Sequence, residues 1–107
     1  MELIFNNQEY KIHSFLYRIN TDEKNDNEKT FQKVIRCNFK NVVDVEAISQ
    51  DIINNFDGMV TVIAENQTFI FEDFQFEEIS LFINEDDDDG IVYDIVFTKD
   101  VNINSAE

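Results

Sequence analysis

The sequence predicts an α+β domain: an antiparallel β-sheet of about six to seven strands, as one sheet or a small two-layer sandwich, with one central helix at about residues 43–56. Three observations predict it. In the last apolar segment Ile91, Tyr93, Ile95 and Phe97 alternate with Val92, Asp94, Val96 and Thr98, the two-residue period of a strand. Val45, Ile48, Ile52 and Phe56 instead recur at i, i+3, i+7 and i+11, one side of a helix. Clusters of Asn, Asp, Glu and Gln separate the apolar segments, as turns separate strands. At 107 residues with 43% hydrophobic content and eleven Phe, the chain has the size of a single domain. Disorder on the scale of the whole chain needs a far lower hydrophobicity.

Leu3–Phe5 and 10–20 read as two strands of a hairpin around Asn6-Asn7-Gln8-Glu9. TDEKNDNEK, residues 21–29, has no apolar side chain and is expected to be a mobile, solvated loop before a strand over 30–40. Asn41 is placed to cap the helix, Asp44 to favour its dipole, and Gly58 to supply a left-handed residue after it. Four strands follow, over 59–64, 68–76, 78–83 and 91–99, expected to form a meander. Phe69 and Phe71 differ in parity from Phe74 and Phe76, so a bend or bulge near Glu72-Asp73 is needed to turn all four inward. The outer face of the last strand is partly apolar and requires a cover, for which the helix is the candidate. Residues 100–107 read as a frayed tail.

Charge is strongly polarised. Residues 1–40 carry seven bases and six acids, whereas the remainder carries one base, Lys99, and seventeen acids. Such a balance argues against nucleic acid or an anionic membrane as a direct ligand, since both are polyanions bound through Lys and Arg. It favours a basic protein partner. The first ten residues have no basic segment leading into a long apolar run, and no stretch of about 18 apolar residues occurs, so a cytoplasmic protein is expected. The single cysteine, Cys37, alternates with Phe31, Ile35 and Phe39 and reads as a buried reduced thiol.

Motifs for chemistry are few. Glu85-Asp86-Asp87-Asp88-Asp89-Gly90 is similar to half of a calcium loop, with oxygen ligands at the first, third and fifth positions. The twelfth position is Val96 rather than a bidentate Glu, and neither flank reads as a helix, so no metal site is assigned. The run is then a solvated loop or a contact for a basic surface. Glu72, Asp73, Glu77, Glu78 and Asp94 extend the candidate partner-binding set. Carboxylates on adjacent strands, about 4.8 Å apart, approach the charge spacing of a nucleic-acid backbone. His13 and Cys37 are the sole residues of their kinds, and no nucleophile pattern, phosphate-binding loop or cofactor motif accompanies them. No enzyme and no cofactor is expected. Lys11, Arg18, Lys33, Arg36 and Lys40 are available for the acidic face of the same chain or of another copy, in a head-to-tail homo-oligomer.

The segments FKNVVDVEAISQDIINNFDGMVTVIAE and FIFEDFQFEEISLFINEDDDDGIVYDIVFTK resemble, in their helix-then-meander plan and acidity, small accessory proteins of phages and prophages, among them anti-CRISPR and other anti-defence inhibitors. That resemblance implies an inhibitor blocking the basic nucleic-acid-binding surface of a host defence protein by mimicry. Small phage tail, baseplate or head accessory proteins share the same look, and imply a virion component instead.

Overall fold

The computed structural model describes residues 1–25, 28–39, 45–83 and 91–104. They form eight strands and one helix: β1 (Glu2–Phe5), β2 (Gln8–Lys11), β3 (Ser14–Asn25), β4 (Glu28–Phe39), α1 (Val45–Asn55), β5 (Val60–Ala64), β6 (Gln67–Phe71), β7 (Gln75–Ile83) and β8 (Ile91–Asn104). The strands make two four-stranded antiparallel sheets, ordered β2-β1-β5-β6 and β3-β4-β8-β7. The α+β expectation holds, with more strands than the sequence indicates.

Two tight turns organise the first sheet. Phe5 pairs with Gln8 and Ala64 with Gln67, leaving two-residue loops. Asn6 and Asn7 (φ 52° and 61°) and Glu65 and Asn66 (φ 51° and 64°) are all left-handed, the geometry whose twist matches that of the strands it joins. Three of the four are Asn, whose short side chain tolerates this region.

The chain changes sheet at two corners. At the first, the Ile12 amide donates to the Met1 carbonyl at 3.0 Å and the next amide, of His13, to the Asn38 carbonyl at 2.7 Å. Successive residues thus serve different sheets, and the single strand expected over 10–20 is divided into β2 and β3. At the second, Asp73 is left-handed (φ 61°) and the Phe74 amide donates to the Gly58 carbonyl at 3.0 Å, after which Gln75 joins β8. The bend anticipated near Glu72-Asp73 is present. It also overturns the meander, because β5 and β6 lie in one sheet and β7 and β8 in the other.

Between the sheets lie Leu3, Phe5, Val60 and Val62 of the first sheet and Ile35, Cys37, Phe39, Ile95 and Phe97 of the second, joined by Phe74 and by Ile48 and Ile52 of α1. The helical stripe therefore faces the core. It does not cover the outer face of β8, where Asp94, Val96 and Thr98 are buried beside the side chains of Arg36 and Glu77. Phe71 and Phe76 are half-buried and Phe69 is 37% exposed, so the four phenylalanines turn inward to different depths.

The polar segment 21–29 is not wholly a loop: β3 and β4 pair through Thr21↔Phe31, Asp22↔Thr30, Glu23↔Lys29 and Asn25↔Glu28. Likewise β8 runs on to Asn104, paired with β4 as far as Glu28, where a frayed tail was expected. Backbone pairing with a neighbour on each side of β4 stabilises these segments despite their polarity. The radius of gyration is 15.7 Å, against about 13 Å for a compact domain of this length. The capping residues Asn41 and Asp44, the acidic run 84–90 and residues 105–107 lie outside the described residues.

Gly58 has φ +86°, and a Cβ there would meet the Phe74 carbonyl oxygen at 3.4 Å and Asp73 Cα at 3.5 Å. Gly58→Ala is expected to destabilise the domain by about 1–2 kcal/mol from the left-handed backbone alone. A lower urea midpoint with an unchanged m-value would register it.

Candidate interaction surface

The candidate acidic residues fall in different environments. Glu72 and Asp73 occupy the second corner and are exposed; the Glu72 carbonyl accepts a hydrogen bond from Lys99 Nζ at 3.2 Å. Along β7, Phe76 pairs with Phe97 and Glu78 with Val96, leaving Glu77 as the extra residue of a bulge. A bulge sets two consecutive residues against one. Thr98 Oγ1 donates to Glu77 Oε2 at 3.3 Å, which draws Glu77 to the same outer face as Glu78. These two exposed glutamates are brought together there; the run Glu85, Asp86, Asp87, Asp88 and Asp89 lies outside the described residues.

Asp94 differs from the others. It sits on the outer face of central strand β8, in register with Asn38 and Ser80, and is only 6% exposed. Arg36 Nε lies 3.5 Å from its Oδ2. Burial raises its pKa, the Arg36 guanidinium pulls it back, and the Glu78 carboxylate raises it further. Asp94 is thus committed to an ion pair within the chain. Arg36 and, by register, Arg18 share this outer face with Glu77 and Glu78, so its charge is mixed.

His13 is exposed at the first corner, while Cys37 is fully buried and in register with Phe15. Burial, then the nearby Asp94 charge, pushes the Cys37 thiol up to about 12, which removes the thiolate a nucleophile needs. Among the described residues no cluster of three or more His, Cys, Asp or Glu is placed to hold a metal, and no helix is long and apolar enough to cross a membrane.

The surface also carries apolar side chains. Leu16, Tyr17, Ile19, Ile70 and Leu81 are exposed, Ile19 at 53% and Ile70 at 61%. The signal in the sequence is Phe15-Leu16-Tyr17: three consecutive apolar residues in a strand put apolar groups on both faces. Phe15 stacks near Phe69 and Phe71 (5.8 and 6.1 Å) and Tyr17 near Phe71 (5.1 Å), which brings the edge of one sheet against the other. Beyond Tyr17 no ring contact joins β3 to the first sheet among the described residues. The core-side rows continue as Ile19-Lys33-Lys99 and Thr21-Phe31-Val101 on a three-stranded arm of β3, β4 and β8. The arm's opposite face carries Asn20, Gln32 and Asp100 in register, with Gln32 Nε2 donating to Asp100 Oδ1 at 3.0 Å.

No protein-family model and no curated protein matches this sequence. Among solved structures the fold is similar to that of Hcp1 from Flavobacterium johnsoniae, with a TM-score of 0.56 over 97% of this chain and 98% of that one, at 11% identity. What the two share at that identity is the fold.

Burial makes the charged form of Asp94 less favourable in the folded chain than in the unfolded one, so its folded pKa lies above the ordinary 3.8. Its contribution to stability is largest below 3.8 and declines as pH rises through the raised folded value. Asp94→Asn is expected to abolish that decline. Urea midpoints of both proteins across the acid range should show the wild type losing ground to the variant as pH increases.

Proposed function

We propose that this chain is a structural building block that assembles with copies of itself, as a ring- or tube-forming component of a phage-tail-like apparatus such as a tail tube or a type VI secretion tube. The observation that carries this reading is the arm of β3, β4 and β8, which continues past the two-sheet core with Ile19, Phe31 and Val101 on its core-side face and Ile19 more than half exposed. An amphipathic sheet of this kind is stabilised when its apolar face is covered. The overall likeness to Hcp1 over nearly the full length of both chains supports the same reading, and so does the edge position of the 12-residue β3, whose outer backbone groups pair with no other strand among the described residues and suit the addition of one.

Sedimentation velocity over a concentration series, with negative-stain microscopy of the heaviest species, tests it. Closed rings or stacked tubes are expected; a monomer at every concentration would overturn the proposal.

A second reading, inhibition of a basic nucleic-acid-binding protein, is favoured by the four exposed carboxylates Glu72, Asp73, Glu77 and Glu78 within one seven-residue segment. Under it, the purified chain captures a basic nucleic-acid-binding protein from a bacterial lysate, and competing DNA or added salt releases that protein. Charge reversal at Glu77 and Glu78 would then weaken capture, whereas an unchanged yield would exclude these residues.

A further inference from the structure

The core-side face of the arm carries lysines as well as apolar residues. Lys33 on β4 and Lys99 on β8 are direct cross-strand partners on that face, in a row with Ile19 and next to the row of Phe31 and Val101. Like charges placed directly opposite each other on one face are unfavourable. Lys99 gives a hydrogen bond to the Glu72 carbonyl, a neutral acceptor, so the repulsion between the two ammonium groups is not cancelled there.

The outer face of the other sheet carries the converse arrangement. Register places Glu9, Ile4, Thr61 and Ile70 in one row and Lys11, Glu2, Ile63 and Thr68 in the next. Ile4 and Ile63 are half-buried and Ile70 is largely exposed, which gives an apolar strip beside two glutamates. The Glu9 carboxyl is held above its ordinary range, first by a hydrogen bond with Glu2 and then by repulsion from its charge, with Lys11 opposing. These carboxylates therefore crowd each other even with Lys11 in register with Glu2.

One surface thus has two lysines in register beside Ile19, Phe31 and Val101; the other has two crowded carboxylates beside Ile4, Ile63 and Ile70. Resting on the self-assembly reading, we infer that the core-side face of the arm of one copy docks on the outer face of the β2-β1-β5-β6 sheet of the next copy, with Lys33 and Lys99 meeting Glu2 and Glu9. The two surfaces are different parts of the chain, so the contact is head-to-tail and propagates into a ring or an open helical assembly rather than closing as a twofold dimer. Each docked pair relieves two like-charge repulsions and covers both apolar strips, while the ionic part sets the register and the rate of encounter.

The test is a charge swap read by sedimentation velocity. Lys33→Glu with Lys99→Glu makes both surfaces of a copy acidic, and Glu2→Lys with Glu9→Lys makes both basic. Each double variant alone is expected to lose the assembled species that the wild type forms, and an equimolar mixture of the two to regain it, with alternating copies. Circular dichroism establishes that each variant is folded; Lys33→Gln with Lys99→Gln replaces the first if it is not, and is expected to weaken assembly in the same direction. A wild type that assembles while both swapped variants assemble equally well, or a mixture that fails to recover, would overturn this interface and leave self-assembly standing. A wild type that stays monomeric would overturn both.

Discussion

The packing around Phe97 is the contact on which the rest of the molecule depends. Its ring is fully buried and lies 5.9 Å from Phe5, 5.3 Å from Phe56 and 6.2 Å from Phe76. Those three rings come from the first sheet, from the residue following the helix, and from the neighbouring strand of the second sheet. Edge-to-face and tilted aromatic contacts each add about 0.5–1.5 kcal/mol beyond the area they bury, so one residue couples every layer. Phe5 extends the network to Tyr10, 5.0 Å away, and Tyr10 to Phe39 at 6.2 Å.

Around that centre the two corners decide the architecture. Neither contains proline, which the chain lacks altogether; at the first the consecutive amides of Ile12 and His13 are given acceptors beside different sheets, and at the second the left-handed Asp73 turns the chain. The helix is positioned by similar means. Asn6 Nδ2 donates to Asp51 Oδ2 at 3.1 Å, and Asn55 Nδ2 to Asp51 Oδ1 at 3.0 Å, bonds that hold the Asp51 carboxyl below its ordinary range. The Asn6 bond fastens α1 to the β1–β2 turn, and the Asn55 bond lies within the helix, while Ile48 and Ile52 enter the core.

Electrostatics then acts on a frame fixed by apolar packing. The acidic excess is a property of the composition, but the sheets distribute it unevenly: Asp94 is drawn under Arg36, Glu77 is held by Thr98, and Glu72 and Asp73 are set at a corner. Lysines and isoleucines remain together on the arm, where the core has ended. In the proposed assembly the apolar groups of such a surface supply affinity and the charges supply orientation.

Much of this was legible in the residues themselves. The helical period of Ile48 and Ile52, the burial of Cys37 by alternation, the need for a break at Glu72-Asp73 and a left-handed Gly58 all follow from local periodicity and backbone sterics, which depend on neighbours along the chain. The partition into two sheets did not follow, because a strand's period is the same whichever partner it pairs with. The extension of β3 and β4 through TDEKN and EK was hidden for a related reason: polar residues join a ladder when adjacent strands supply hydrogen bonds, and only the tertiary structure provides that neighbour. The candidate site was legible as charge and not as place. Sequence named Glu77, Glu78 and Asp94 alike as acidic, whereas register and burial separate two exposed carboxylates from one neutralised within the chain, and bring Lys33 to Lys99 across 66 residues of sequence.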